Sequence, residues 1–559
     1  MNVLLCQINS KYIHSALAAW CLKAGISNFS TFPHSAEVVE ATINEKQCDV
    51  LNRLTQKSPD IVGFCCYIWN IDYVKAVAKM LKATLPDCKI VLGGPEVSYN
   101  VKDTLNSCDF VDYVISGEGE YPIAYLCDCI QSGTAPQNNG ISYRSGNALC
   151  LSEPYITASE PPTPYCDEYF NTLSNRIAYI ETSRGCPYSC AFCLSGRCGK
   201  VRFFDMERTK SEIIRLSQSG CKTLKFVDRT FNANKKRAEA IVEFILDNIG
   251  TSIPRDVCFH FEIAADILSD RLAELFASAP KGSIQLEIGM QSFNEQTLAA
   301  VTRKTDCEKL KANIARLIRP KNIHIHIDLI AGLPFEDLNS FKNSFNTAYN
   351  LYADMLQLGF LKLLHGAEMR INTEKYPCVY SKDPPYEVIS TPYISAQELN
   401  LLHRVEDVVE RTYNSGRFRR TLSVLCQTGT PPFNIFEYIA TRLPDDLSGT
   451  PLERYCDLLY SLLSSFPNID AETLRDAMVC DITASVCGGK LPSSLKRDDP
   501  FLKTARHFLQ KRYPAPKGVM RATALLYGEN VVLYCDYTAC DPVNKQYTLH
   551  KIPFSQIVK

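Results

Sequence analysis

The chain has 559 residues, with 60 Lys or Arg against 61 Asp or Glu and a net charge of -1. That balance excludes a global polybasic grip on nucleic acid or membrane, and no run approaches the roughly 18 apolar residues that span a bilayer. The opening MNVLLCQINSKY is broken by Asn9 and Lys11, so it reads as a buried strand and not as a secretory signal. The 25 cysteines are therefore expected in a reducing, cytoplasmic setting, most of them as small buried hydrophobes. At about 150 residues per domain the length predicts three or four domains.

Residues 1–145 alternate β-rich runs with amphipathic stretches. Strands are expected at Val3–Ile8, Glu37–Ile43, Asp60–Tyr67, Lys89–Gly93 and Asp109–Ser116, with helices such as Tyr73–Leu85 between them. This order predicts a flavodoxin-like, doubly wound α/β sheet whose ligand crevice lies beyond the carboxyl ends of its strands. The loops Asn9–His14, Cys66–Asn70, Gly93–Tyr99 and Gly117–Glu120 would line it. Residues 146–175 lack periodicity and contain PPTPY, which predicts a surface linker.

A second alternation fills residues 176–375. Strands are expected near Ala178–Thr182, Thr223–Asp228, Cys258–Ile263, Ser283–Gly289, His324–Ile330 and Met355–Leu361. Six βα units make a partial (β/α)6 barrel, with chemistry at the carboxyl ends of its strands. Residues 376–559 turn mostly helical, as at Ser395–Thr412, Leu452–Ser464 and Ala471–Met478. They close on a β-hairpin of Val531–Tyr537 and Gln546–Ile552. From Leu491 onward there are 11 Lys or Arg against 5 Asp or Glu. Arg506, Lys511, Arg512, Lys517 and Arg521, with Phe508 and Tyr513 interleaved, would suit RNA, or simply a solvated helix face.

At the end of the first barrel strand, TSRGCPYSCAFC brings Cys186, Cys190 and Cys193 into one tight loop. Three thiolates can ligate three irons of a 4Fe–4S cluster and leave the fourth open. The alternatives are packed core cysteines, or zinc with Cys198 as fourth ligand. Cys480 with Cys487, or Cys535 with Cys540, would be candidates for an auxiliary cluster, against the plainer reading of buried thiols.

With Phe192 ahead of the third cysteine and a barrel behind it, this motif resembles that of the radical S-adenosylmethionine (SAM) superfamily. The resemblance implies that the open iron chelates the amino and carboxylate groups of SAM and that reduction releases a 5′-deoxyadenosyl radical. It implies Asp228 in KFVDRTF at the SAM amino group, and Glu262 in FHFEIAA with Glu287, Gln291 and Ser292 in LEIGMQS at ribose and carboxylate. Arg303 in VTRKT falls near the SAM carboxylate, and Ile330 and Gly332 in DLIAGLPFED at adenine. Paired barrel carboxylates at Glu262 or Glu287 and a helix cap at Asp228 are the plainer readings.

The words NSKYIH, GFCCYIWN, VLGGPEVS and ISGEGE look like the cobalamin-binding module of cobalamin-dependent radical SAM enzymes. The resemblance implies cofactor contacts at Asn9, Ser10, Tyr12, His14, Cys66, Tyr67, Trp69, Asn70, Gly93, Gly94 and Glu118. The paired glycines would allow close backbone approach. The D-x-H-x-x-G word that supplies a lower histidine ligand is absent, so the lower cobalt face would pack on residues near Tyr67 and Trp69.

The LGFLKLLHG word and the C-terminal third fit the same group, the latter as an extension of unknown function. The implied activity is methylation of an unactivated carbon, with methylcobalamin as donor and a second SAM restoring it. Cyclisation or rearrangement on the same cofactors is the alternative. Methylthio transfer to tRNA would need a second cluster, for which Cys6, Cys48 and Cys88 are loosely spaced. A non-catalytic cobalamin sensor would have no use for the triad. Implied partners are a reductant such as flavodoxin or ferredoxin and a substrate that is a small molecule or RNA, with no membrane.

Overall fold

The run VLLCQIN forms β1 (Asn2–Asn9) and is buried along nearly its whole length, as a parallel strand covered on both faces must be. It lies between β2 (Ser35–Thr42) and β3 (Ile61–Cys65), and β4 (Lys89–Gly93) and β5 (Tyr113–Ile115) follow. The parallel order is β2-β1-β3-β4-β5, the doubly wound arrangement expected. Helix Ile71–Thr84 covers it with Ile71, Val74, Val77, Ala78 and Leu81, spaced three and four apart on one buried stripe.

Two features differ from expectation. β5 is shorter than Asp109–Ser116, because Arg144 gathers the carbonyls of Leu105, Cys108, Asp109 and Val111 and curls the approach to it. Beyond it, β6 (Ile141–Ser145) and β7 (Ala148–Cys150) add an antiparallel hairpin to the sheet, turning at Gly146 with φ +60°. The expected linker thus begins inside a hairpin. Its later part is packed rather than spread over the surface: Tyr169 and Leu173 are fully buried and Tyr165 is 3% exposed.

The computed structural model describes residues 1–557, apart from the side chains of Arg197 and Cys198. The chain divides into two units. The first is Met1–Leu275 with Val301–Lys304 and Leu361–Ile389, and the second is Phe276–Ala300, Thr305–Phe360 and Ser390–Lys559.

Besides the sheet of β1–β7, and separate from it, the first unit holds β8 (Ile177–Ile180), the short antiparallel pair β9 (Ser183–Arg184) and β10 (Arg202–Phe203), and β11 (Thr223–Phe226) and β12 (Cys258–Ile263). β11 runs parallel between β8 and β12. In the second unit β13 (Ile284–Gln291), β14 (His324–Ala331) and β15 (Met355–Phe360) are parallel neighbours. All six strands expected of the second alternation form.

The C-terminal part of the second unit is mostly helical. Ser395 and Glu398 form a capping box at the start of Ala396–Val409. The terminal hairpin is part of a three-stranded antiparallel sheet, Arg521–Leu526, Val531–Asp536 and His550–Pro553. Helix Phe501–Arg512 packs on it through Ala505 and Leu509, leaving Lys503, Arg506, Lys511 and Arg512 exposed. No helix among the described residues is long and apolar enough to cross a membrane.

Candidate functional site

A cavity of about 1080 Å³ opens in the first unit at the carboxyl ends of β1, β3, β4 and β5, where a doubly wound sheet places ligands. Asn9, Ser10, His14, Tyr67 and Trp69 line it, as do Gly93, Gly94 and Glu118. Across from them the walls are Tyr179, Glu181, Ser183, Arg184, Gly185, Leu194, Ser195 and Arg229. The cavity therefore touches both the N-terminal sheet and the segment that carries the cysteines.

The N-terminal wall is tightly held. Asn9 donates through Nδ2 to the His14 carbonyl (3.1 Å) and to Glu40 (3.2 Å). His14 Nδ1 meets the Tyr179 hydroxyl at 2.7 Å. Burial, helped by the nearby cations Lys11, Lys225 and Arg176, lowers its pKa and keeps the ring neutral. The Tyr67 and Trp69 rings stack at 4.4 Å and 7°, and Trp69 is 48% exposed. Gly94 has φ +113°, and a Cβ there would stand 2.5 Å from the Cys66 carbonyl oxygen, so only glycine fits.

Three residues expected at the ligand do not line the cavity. Cys66 is fully buried in the hydrophobic core behind it, with its thiol pushed far up by burial. Asn70, 1% exposed, ties the loop together from beneath: its Oδ1 accepts from Tyr67 N (2.8 Å), and its Nδ2 donates to the carbonyls of Ile8 (2.9 Å) and Cys65 (3.0 Å). Tyr12 is 75% exposed, and its carbonyl accepts from Arg176. Both Cys66 and Asn70 shape the loop that presents Tyr67 and Trp69.

The cysteine loop is pinned at several points. Cys193 N donates to the Cys190 carbonyl (3.0 Å), Ala191 N to Val301 (3.0 Å), Met369 N to Ala191 (3.0 Å) and Thr302 Oγ1 to Ser189 (2.6 Å). Cys190 is 8% exposed. Burial pushes its thiol pKa up, Arg303 draws it down, and the charges of Cys193 and Cys186 raise it again. The Cys190 thiol thus lies within the field of the other two. Arg303 points Nη1 at Cys190 Sγ (3.7 Å) and lies over the Tyr188 ring at 5.3 Å. Cys186 Sγ is 3.5 Å from Thr230 Oγ1, and Cys193 Sγ accepts from Ser195 N at 3.4 Å.

Among the described residues no three His, Cys, Asp or Glu side chains are close enough to hold a single metal ion. The three cysteines share one tethered loop, and a multi-iron cluster, which fills the space between its ligands, asks for no common point of the kind a single zinc ion needs. Cys198, the expected fourth zinc ligand, lies outside the described side chains. Cys480 and Cys535 are buried, with thiols raised to about 11 by burial, while Cys487 and Cys540 are exposed. Cys6 and Cys88 are core residues and Cys48 is exposed on a helix.

The remaining expected residues sit at strand ends in varied surroundings. Asp228 is 2% exposed and accepts from Thr182 N (3.1 Å), Thr182 Oγ1 (2.8 Å) and Ser183 Oγ, stapling the chain after β11 to the chain after β8. Burial raises its pKa against those donors. Glu262 on β12 faces Lys225 (3.5 Å) and Arg229 (4.0 Å).

In the second unit, Glu287 and Gln291 share the alternating, partly exposed face of β13. Gln291 has φ +71°, and its amide occupies the space over Gly289. Ser292 is 1% exposed and donates to Glu336 at 2.6 Å. Ile330 on β14 pairs with Gly359, and Gly332 turns with φ +87°.

Sequence reasoning singled out Glu118 but not its partners. Arg184, inside the cysteine motif, meets Glu118 (3.1 Å), Glu120 (2.5 Å) and Glu181 (2.9 Å). Burial disfavours its charge, but Glu181 and Glu120 outweigh that and hold the guanidinium firmly protonated. Charged residues inside motif words otherwise made of small residues, SGEGE and TSRGC, were the available signal.

Comparison with known proteins places three families along the chain. The B12 binding domain family matches residues 6–126, the Radical SAM superfamily residues 180–348, and a family described as a protein of unknown function (DUF4080) residues 374–529. The 2-(S-pantetheinyl)-carbapenam-3-carboxylate methyltransferase of Streptantibioticus cattleyicolor is 29% identical over 51% of this chain and 44% of its own length. The cobalamin-dependent radical SAM methyltransferase TokK of Streptomyces tokunonensis is 28% identical over the same shares, 51% and 44%. The chain thus spans less than half the length of these curated relatives. The solved structure of the cobalamin-dependent S-adenosylmethionine radical enzyme OxsB shares the fold. Its TM-score is 0.60 at 15% identity, over 86% of this chain and 78% of that one.

Proposed function

From a chain that belongs to the cobalamin-binding branch of the radical SAM proteins, we propose a methyltransferase acting on an unactivated carbon. The observation that carries this reading is the single cavity bounded by the N-terminal glycine and aromatic loops on one side and by the cysteine-bearing segment on the other. When bound, a 4Fe–4S cluster with SAM supplies a 5′-deoxyadenosyl radical and cobalamin supplies a methyl carrier.

The chain's own share is to hold, orient and keep dry. Cys186, Cys190 and Cys193 would hold the cluster, with Arg303 favouring the ionised form of Cys190. Gly93 and Gly94 would let backbone approach the corrin, and the stacked Tyr67 and Trp69 offer it a flat apolar face. As SAM contacts we assign Asp228, Glu262, Glu287, Gln291, Ser292, Arg303, Ile330 and Gly332. Asp228 and Ser292 would act there by positioning backbone, since their side-chain oxygens already bond within the chain.

The two methyltransferase relatives favour methylation over cyclisation or rearrangement. We assign a one-electron donor such as flavodoxin or ferredoxin as redox partner, and a small molecule or RNA as substrate. We assign the cytoplasm as location, a reading supported by the free thiols of this cysteine-rich chain.

Anaerobic reconstitution with iron, sulfide, SAM and hydroxocobalamin tests the proposal. The reduced protein is expected to release 5′-deoxyadenosine and to yield a product heavier by one methylene. Cys186→Ala is expected to abolish deoxyadenosine release while still binding cobalamin. A product of unchanged mass would replace methylation by rearrangement, and deoxyadenosine release undiminished in Cys186→Ala would refute the cluster assignment.

A further inference from the structure

The segment carrying the cysteines leaves and re-enters the sheet region through β9 and β10, where Arg184 and Arg202 are register partners. Two adjacent guanidinium groups repel, and both are largely withdrawn from solvent, with side chains 13% and 27% exposed. Both are bound by one carboxylate from the N-terminal sheet. Glu118 Oε2 accepts from Arg184 Nη1 (3.1 Å) and from Arg202 Nη1 (3.3 Å), and Glu118 Oε1 pairs with Arg202 Nη2.

Arg184 has two further carboxylates, Glu120 and Glu181. Among the described residues, the carboxylate paired with Arg202 is that of Glu118 alone. Arg202 is otherwise held by the Thr157 carbonyl (2.6 Å).

Glu118 is itself fixed in place. Its backbone N donates to the Tyr155 carbonyl (2.8 Å), and the preceding Gly117 has φ +87° with room for no Cβ against that same carbonyl. Gly117, Glu118, Glu120, Tyr155 and Arg184 all line the large cavity. Whatever fills the cavity presses on the wall that closes the base of the cysteine loop.

We propose that Glu118 is a positioning residue: by clamping Arg184 and Arg202 it locks both ends of the cysteine loop to the N-terminal sheet and couples occupancy of the cavity to the environment of the cluster. This rests on the reading of the triad as a cluster site. Removing the Glu118 charge strips Arg202 of its carboxylate while Arg184 keeps two. The arm that returns from the cysteines, Lys200–Arg202, loosens first, and a half-buried cation is left without its carboxylate.

The test uses the full chain, reconstituted anaerobically, as wild type, Glu118→Gln, Glu118→Asp and the double variant Glu118→Gln with Arg202→Gln. Circular dichroism checks folding. The readouts are the rate of iron loss to a chelator, the electron paramagnetic resonance spectrum of the reduced cluster with and without hydroxocobalamin, and the affinity for hydroxocobalamin. Glu118→Gln is expected to lose iron roughly ten- to a hundredfold faster, the range for residues that orient metal ligands. It should lose the spectral response to cobalamin that wild type shows. Glu118→Asp is expected to restore part of both.

The double variant leaves no half-buried cation without a partner and still lacks the tether, so it should also lose iron quickly. Wild-type iron retention and spectral response in Glu118→Gln would overturn the clamp alone, as would full retention in the double variant. A cobalamin affinity lowered more than about tenfold with the cluster untouched would also overturn it, making Glu118 a cofactor contact. A wild type that takes up no cluster would overturn the clamp and the parent reading together.

Discussion

Glu336 is 1% exposed, with Ser292 Oγ (2.6 Å) and Ser344 Oγ (3.0 Å) both donating to Oε1. Burial pushes its carboxyl up to about 7, and the two hydroxyl donors offset only part of that. An acid whose folded pKa exceeds its unfolded value of about 4.3 holds its proton more tightly when folded. Its contribution to stability is complete below that unfolded pKa and is lost as pH rises through the folded one. Glu336→Gln keeps the shape without the charge. It should melt like wild type near pH 4 and be more stable at pH 8, by on the order of 3–4 kcal/mol. Thermal melts across that range check this, and curves that stay parallel would refute it. Glu336 also shows what a linear reading of motif words misses. Ser292 and Asp228 were legible as strand-end polar residues, but their hydrogen-bond partners lie 44 and 46 positions away in the chain. Only the fold decides whether such an oxygen is already engaged.

Helix Arg419–Gln427 begins without a cap of its own, and a residue from a distant helix takes that role. Asp481, fully buried on Ala471–Ser485, accepts from Arg420 N (3.1 Å), Thr421 N (2.8 Å) and Thr421 Oγ1 (2.8 Å). Asp481→Ala would leave three donors buried at a helix start, and a loss of about 2–4 kcal/mol is expected. Denaturant unfolding measures it, and a loss under about 0.5 kcal/mol, the scale of an ordinary surface change, would refute the capping role. The strands β1, β3 and β4 were legible because buried parallel strands write themselves as apolar runs, and β12–β15 because apolar residues alternate with polar ones along them. The β6–β7 hairpin and Arg521–Leu526 were not. Their strands are short or polar at one end, and their pairing partners, not their own periodicity, make them strands.

For the whole molecule, the feature least legible in sequence is the return of Leu361–Ile389 to the first unit. The segment follows the last barrel strand, where composition offers no sign of direction. Once there, Tyr386 donates its hydroxyl to the buried Glu96, 290 residues earlier, and Gly366, at φ +85°, leaves room for the Tyr99 ring at the cavity wall. Burial raises the Glu96 carboxyl pKa, and the Tyr386 hydrogen bond opposes the shift. Tyr386→Phe removes that donor, so a loss of about 1–3 kcal/mol and faster proteolytic cutting within 361–389 are expected. Limited proteolysis beside thermal melts checks both, and an unchanged cutting pattern would refute the latch. The same return governs the order of synthesis. On the ribosome, the loop bearing Cys186, Cys190 and Cys193 emerges long before the residues that tether it, Val301, Thr302 and Met369. A nascent chain therefore carries these three thiols in a loop that lacks its cross-chain hydrogen bonds until translation has passed Met369, and the loop takes its final shape only after most of the first unit has been made.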